Sequence, residues 1–544
     1  MFTPKTMFAA ASIATAALLL TACTADDTTD TQSGLSLDLE NLATTTTPGT
    51  EPVDEVKWNL PYEPMSLDPI FGFNYAENTV TANLCESLVR MKPDLSTEPG
   101  LATNVAQPDD TTLVYTIRDG VTFWNGNPLT AEDVAYSLQR QVGETATSYF
   151  ASYFVNVDSV EVTGPSEVTV KLKQPDVLFA QAMGTAAGAI VEKAAAEAAG
   201  EAFGTPDGGL QCTGPFSLEA WNSGRSIQLA ANPGYWDATL APKVQRLSFS
   251  FIADESTAVN ALRTGDVDGQ FFYLPPAGLS QLENGDEVTT TYGESLVFWT
   301  MITTNLTGGL ADERIRQALS LAIDRKGLAK VVFQGAAVPA TTLAGPGYWG
   351  YETDAFATAF EEFSADADLE QAKQLVAEAG APAEPIVLAV QGSSAVHEQT
   401  ANLIQAAGQA IGLKIESKVI PVEQFGNLYF DENAREGLDG FFTTNYGNFA
   451  DPLDVYTMFH TADSHNYSGW DGADEQLAAA RRTTDPAERA ELVIEAQEHI
   501  TKGLSWIPLA YEPVTLVQNT RISGATASFA YLYAPWAATI GGVK

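Results

Sequence analysis

Four histidines and a glycine-rich string are the first places to look for chemistry in this 544-residue chain. His460 and His465 flank Asp463, so a metal site is conceivable, but their spacing matches no strong ligand pattern and they read as surface or rim histidines. His397 and His499 stand alone in sequence. Gly345-Pro346-Gly347-Tyr348-Trp349-Gly350 has the form G-x-G-x-x-G. A dinucleotide-binding turn needs a strand before it and room for a pyrophosphate. Here a proline sits inside the string, aromatic residues fill it and no strand pattern precedes it, so it reads as a turn-rich loop. G-x-x-x-x-G-K-[ST], H-E-x-x-H and G-x-S-x-G are all missing. The expectation is a protein with no metal, no cofactor and no catalytic constellation.

The cysteines say more. Lys5 and the amino terminus precede an apolar, uncharged run at 7–20 (MFAAASIATAALLL), and Leu20-Thr21-Ala22-Cys23 closes it. Fourteen residues at ~1.5 Å each cover ~21 Å, short of a ~30 Å hydrocarbon core, so the run fits an export signal and not a membrane span. The tetrad resembles the bacterial lipobox, in which cleavage leaves an N-terminal cysteine carrying acyl chains; several chains on one residue anchor stably. The expected product loses residues 1–22 and is lipidated on Cys23, outside the cell membrane of a cell with no outer membrane. Residues 24–55 hold eight acids, no Lys or Arg, no aromatic side chain and many Thr and Ser. Such a stretch buries too little apolar surface to offset chain entropy, so 23–55 is expected to be a lipidated, disordered acidic tether. The remaining Cys85 and Cys212 form an even pair in an exported chain, read as one disulfide closing a long loop or as two buried thiols.

Positioning such groups requires a framework, and the body supplies mixed α/β patterning. Strands are expected at 113–118, 168–172 and 226–229. Thr130 with Asp133 three residues on marks a capped helix through Leu138, and Asp312 opens another. Further amphipathic helices are expected at 368–379, 398–411, 474–482 and 486–501. Lys plus Arg number 28 against 69 Asp plus Glu, a net charge of −41, which argues against nucleic acid or an anionic membrane surface as partner.

Several strings in order resemble the peptide- and nickel-binding class of extracellular solute-binding proteins, family 5, which serve ATP-driven importers. They are Leu67-Asp68-Pro69, Pro99-Gly100-Leu101-Ala102, the long run 109–134 with its Asn125-Gly126-Asn127-Pro128-Leu129-Thr130-Ala131-Glu132-Asp133, Thr213-Gly214-Pro215-Phe216, Asn232-Pro233-Gly234-Tyr235-Trp236, Gly265-Asp266-Val267-Asp268, Asp451-Pro452 and Trp506-Ile507-Pro508-Leu509. The resemblance implies an α/β fold of the type II periplasmic-binding-protein kind, with two hinged lobes and an inserted extra domain. Lobe I would comprise 56–106, 205–290 and 506–544, the insert 107–204 and lobe II 291–505. Cys85 and Cys212 then both fall in lobe I, which makes their bridge plausible. The function implied is capture of a peptide or similar solute by a monomer that is no enzyme, and delivery to a permease with ATPase subunits. A nickel chelate, opine or sugar is the alternative cargo, and an exported hydrolase the rival reading.

An enclosed ligand is selected by aromatic walls and a few placed polar groups. Trp299 and Thr300 follow the first crossing between lobes, and Tyr511 and Glu512 lie at the return. Asn74 and Tyr75 follow the first strand, and Phe150 belongs to the insert. The loop with Asn445, Tyr446, Asn448, Phe449 and Asp451 faces the ligand by resemblance. Peptide-binding relatives carry an aspartate where this chain has Asn448, and a tryptophan where it has Asn445. A neutral amide is a weaker partner for an ammonium group, so Asp451 or Glu512 is left as a candidate for that role.

Overall fold

The computed structural model describes Leu37 and residues 41–544, apart from 144–145, 273, 275 and 284. The expected export signal, Cys23 and the tether as far as Glu40, Leu37 excepted, lie outside the described residues.

Helix starts follow local hydrogen-bonding chemistry. Ala131–Gln139 opens with the expected capping box, the Asp133 N–H donating to Thr130 Oγ1 while the Thr130 N–H donates to Asp133 Oδ2. Asp312, Asp368 and Asp485 cap Glu313–Ala322, Leu369–Ala379 and Pro486–Gly503. Ala395–Ala410 begins three residues before the expected 398, because Ser394 accepts from the His397 N–H and sets the start.

One eleven-stranded sheet runs through the body. Its path is Ile415–Ile420, Ile386–Gln391, Gly440–Tyr446, Val288–Thr303, Trp506–Asn519, Gly269–Phe271, Val53–Leu60, Val244–Phe251, Ser226–Ala231 and Phe216–Asn222, with Val338–Pro339 beside Trp506–Asn519. Val53–Leu60 lies parallel to Val244–Phe251 and Gly269–Phe271, and Ile386–Gln391 lies parallel to both its neighbours; the other pairs are antiparallel. Both halves of the sheet therefore contain parallel pairs, and Ala395–Ala410 packs on Ile386–Gln391 and Ile415–Ile420. Trp58 is wholly buried against Phe271 and Trp536, at ring distances of 5.1 and 4.5 Å. Gly269 makes this packing possible, since a Cβ there would lie 2.2 Å from the Trp58 ring.

A separate four-stranded antiparallel sheet runs Ala102–Asp109, Thr112–Ile117, Glu167–Leu172, Val157–Gly164. Its first strand starts five residues before the boundary expected at 107.

Residues 41–55 are not the disordered segment expected of them. Residues 41–55 are hydrogen-bonded to the body: Ala43 N–H donates to Tyr292 O, Thr46 N–H to Ala525 O and Glu51 N–H to Gly542 O. Val53 already begins a strand. Backbone pairing needs no apolar side chain, so the composition that reads as disorder does not prevent a segment from lying along an existing edge.

Cys85 and Cys212 are joined in a disulfide, their Cα atoms 5.0 Å apart across a sequence separation of 127. Beside it, the buried Glu86 accepts hydrogen bonds from Thr213 Oγ1 and Tyr235 OH, both at 2.8 Å, and from Trp236 Nε1 at 3.0 Å. Arg90 stands 3.4 Å away. The strings at 213–216 and 232–236 therefore converge on one carboxylate. Replacing both cysteines, Cys85→Ser with Cys212→Ser, is expected to lower stability by about 2–5 kcal/mol in urea unfolding, because the loop they close is long.

Candidate functional site

Val288–Thr303 and Trp506–Asn519 form the middle of the large sheet, and their pairing lapses between Gly293 and Val297, with a further one-residue shift between Trp299 and Thr300. Val288 to Gly293 pair with Asn519 to Val514, and pairing resumes at Val297 with Glu512. On one side of the lapse the ladder continues to Gly269–Phe271, on the other to Gly440–Tyr446. The two halves of the sheet are thus joined by two strands at an irregular point. Against that point lies a cavity of about 200 Å³, bounded by 294–297, 345–350, 511–513, Leu42, Asp94, Leu95 and Ala450.

Of the two residues expected at the return crossing, both line this cavity. The Tyr511 hydroxyl donates to Thr342 O at 2.7 Å, which fixes the ring. Glu512 Oε1 is buried without a hydrogen-bond partner, and burial pushes its carboxyl up to about 8. Trp299 and Thr300 do not reach the cavity. Trp299 packs edge-on to His397 at 4.8 Å in a different core cluster, and the buried Thr300 hydroxyl donates to Ile507 O at 2.9 Å. Alternation along the strand sends Trp299 to the face opposite that of Phe298.

The remaining expected residues gather at a second place, where 445–454 meets 149–181 and the C-terminal stretch. Tyr75 and Tyr446 pack at 5.3 Å, and the Tyr446 hydroxyl donates to Phe73 O at 2.6 Å. Phe150 is fully buried beside Tyr153, whose ring lies 5.7 Å from Phe449. Asn74 and Asn445 are partly exposed, and each side-chain oxygen accepts from the next residue's N–H. Asn448 Nδ2 donates to Tyr153 OH at 2.7 Å, and Asn448 Oδ1 accepts from Tyr533 OH at 2.5 Å. Its side chain is engaged within the chain at both ends. Asp451 caps Pro452–Tyr456 through the Leu453 N–H, accepts from Gln181 Nε2 at 2.8 Å and has Arg489 at 3.8 Å.

Asp454 completes this junction and was not singled out from sequence. Its carboxylate accepts from Tyr153 OH and from the Asn448 N–H, each at 2.5 Å. Burial nevertheless raises its carboxyl from 3.8 to about 7, outweighing both hydrogen bonds. Arg481, paired with Asp176 at 2.7 Å, ties the same two regions together. His465 pairs with Asp463 at 2.7 Å and packs near Tyr149, while His460 accepts from the Ala462 N–H. Among the described residues no three His, Cys, Asp or Glu side chains are grouped to hold a metal.

The loop 345–350 was read only as a turn, yet it forms one wall of the cavity. Its glycines allow three close approaches. A Cβ on Gly345 would lie 2.7 Å from the Tyr511 ring, one on Gly347 2.3 Å from Ser295 O and one on Gly350 2.2 Å from Ala450 O. Between them Tyr348 is buried, its hydroxyl donating to Leu296 O and accepting from the Gly447 N–H. Glycines interleaved with aromatic residues were the available signal, pointing to tight packing and not to phosphate.

A two-part sheet crossed by two strands, with a cavity at the crossing, is the frame against which known proteins can be compared. A structure of AgaA from A. tumefaciens R10 in complex with agropinic acid matches with a TM-score of 0.78 at 22% identity, covering 90% of this chain and 99% of that one. The fold is that of the type II periplasmic binding proteins, two lobes with a hinge and an added domain. The profile of bacterial extracellular solute-binding proteins, family 5, matches residues 96–467, and the chain belongs to that family. The glutathione-binding protein GsiB of Salmonella typhi is 28% identical over 476 residues, 84% of this chain and 89% of its own. The dipeptide-binding protein DppE of Bacillus subtilis is 25% identical over 488 residues, 85% of this chain and 87% of its own.

The raised Asp454 carboxyl has a measurable consequence. The folded chain retains a proton there that the unfolded carboxylate, at 3.8, gives up. Stability from this group is therefore present below about pH 4 and lost as pH rises to about 7, at up to about 1.4 kcal/mol per pH unit. Asp454→Asn is expected to reduce the fall in unfolding free energy between pH 5 and pH 8; an unchanged difference would contradict this environment.

Proposed function

We propose that the chain is the substrate-binding lipoprotein of an ATP-driven importer, capturing a peptide or similar small organic solute and passing it to a membrane permease. The observation that carries this reading is the lapse in pairing between Val288–Thr303 and Trp506–Asn519, with a cavity against it. Two strands that lose register together give a flexible link between two otherwise continuous halves. The lobes would be 56–106 with 205–290 and 506–544, and 291–505, with 107–204 as an insert on the first.

The junction between 445–454 and 149–181 is then what the lobes bury when they meet. A ligand that favours the closed arrangement shifts the population toward it, and the permease with its ATPase subunits reads that state. Peptide cargo is supported by relatives named for glutathione and dipeptides. Those names describe binding and not a reaction, which supports a role without catalysis. The protein would act as a monomer held at the outer face of the cell membrane by acyl chains on Cys23.

Thermal unfolding against di- to pentapeptides, glutathione, a nickel–histidine complex and neutral sugars tests the cargo. A true ligand at a hundred times its Kd is expected to add about 2.7 kcal/mol of stability. If no peptide shifts the melting temperature while another solute does, peptide capture fails and capture of that solute stands. The anchor is tested in cells: Cys23→Ser is expected to move the protein from the membrane fraction to the medium, and retention on the membrane would rule out lipid attachment at this residue.

A further inference from the structure

Among the described residues that line the cavity at the strand crossing, the charged ones are all acidic: Asp94, Glu294 and Glu512. No Lys, Arg or His is among these described lining residues. Asp94 is exposed and has Lys92 at 3.2 Å, so its charge is answered at the rim. Glu294 and Glu512 lie deeper, where burial pushes both carboxyls above the usual range, and Asp94 adds to the effect on Glu294.

Several other buried carboxylates in this chain have partners, and Glu77, whose Oε2 is also unreached, accepts from the Met65 N–H on its Oε1. Glu86 has four, Asp451 has Gln181, the Leu453 N–H and Arg489, and Asp454 has Tyr153 and the Asn448 N–H. Glu512 lines the cavity, and its Oε1 is buried with no hydrogen bond reaching it. Leaving a carboxylate in that state is costly, and a matching cation reverses the cost by giving a charge-assisted bond in a low dielectric. The position where peptide-binding relatives keep an aspartate cannot do this, because Asn448 is neutral and already bonded to Tyr153 and Tyr533.

The cavity's size and walls limit what fits. At about 200 Å³ it is smaller than the ~300–1,000 Å³ typical of whole drug-sized ligands, so it suits a head group or side chain. The Tyr511 and Trp349 rings form part of its lining, and aromatic faces attract organic cations. We propose that this cavity receives a cationic head group of the captured solute, a primary ammonium or a guanidinium, with Glu512 as its direct partner and Glu294 deepening the negative potential. This rests on the solute-capture reading above and adds to it the charge class of the cargo and the specificity-determining residue.

Calorimetry and thermal unfolding of the full chain, wild type and Glu512→Gln, would use arginine, putrescine, trialanine, N-acetyl-trialanine and maltose as probes. The expected result is binding by probes that carry a free cationic group. Acetylation of trialanine and Glu512→Gln should each weaken binding at least tenfold, and Glu294→Gln should weaken it less. Ligand-free Glu512→Gln should melt higher than wild type at pH 8, because the unpartnered charge is gone, and that rise shows that the variant is folded. Tightest binding by maltose or N-acetyl-trialanine, or unchanged affinity in Glu512→Gln, overturns the inference while leaving solute capture standing. If no probe shifts the wild type, the capture reading fails and this inference falls with it.

Discussion

Backbone groups at the lapse in the central strand pair set the terms for everything around them. Residues 294–296 leave the ladder, and their N–H and C=O groups need partners elsewhere. The chain provides these from distant segments. The Glu294 N–H donates to Ala43 O and Leu296 O accepts from the Tyr348 hydroxyl, while the Ser295 hydroxyl oxygen accepts locally from the Val297 N–H. Gly293 sits so close to Ala527 that a Cβ would lie 1.5 Å from its carbonyl oxygen. The irregular point is therefore built by the N-terminal segment, the loop 345–350 and the C-terminal stretch together. The first two of these also wall the cavity, the N-terminal segment through Leu42.

Buried charge is distributed unevenly about this point. Where 445–454 meets 149–181, each carboxylate has donors from across the junction, so the contact is specific as well as close: Gln181 to Asp451, Tyr153 to Asp454, Arg481 to Asp176. Such bonds form only when both faces are aligned, which makes the junction selective for one relative placement of its two sides. At the crossing itself Glu294 and Glu512 line the cavity, and no hydrogen bond reaches Glu512 Oε1.

Much of this was readable from sequence where the cause is local. Thr130 with Asp133, Asp312, Asp368 and Asp485 mark helix starts because capping joins residues two or three apart. The fold class came from long strings whose shared role emerges only in space, as when Thr213, Tyr235 and Trp236 meet on Glu86. What stayed hidden depends on long-range placement. A two-residue period tells that Phe298 and Trp299 face opposite ways, but not which face meets a cavity. Tyr511 and Glu512 were identified by their place at the return crossing; the orphaned Glu512 oxygen could be known only from every group that fails to reach it. Segment 41–55 looked like disorder because its composition is polar, and its order comes from edges supplied by residues hundreds of positions later.

Those edges also fasten the two ends of the described chain to each other. Residues 43–51 run beside 523–526 and Gly542, and Thr46 Oγ1 donates to Ala525 O across 479 positions. Contacts between segments so far apart carry the largest loop-closure cost, and they have no edge to pair with until the strands between them are in place. The seam is therefore a late event in folding, and once closed it covers backbone that would otherwise be left bare.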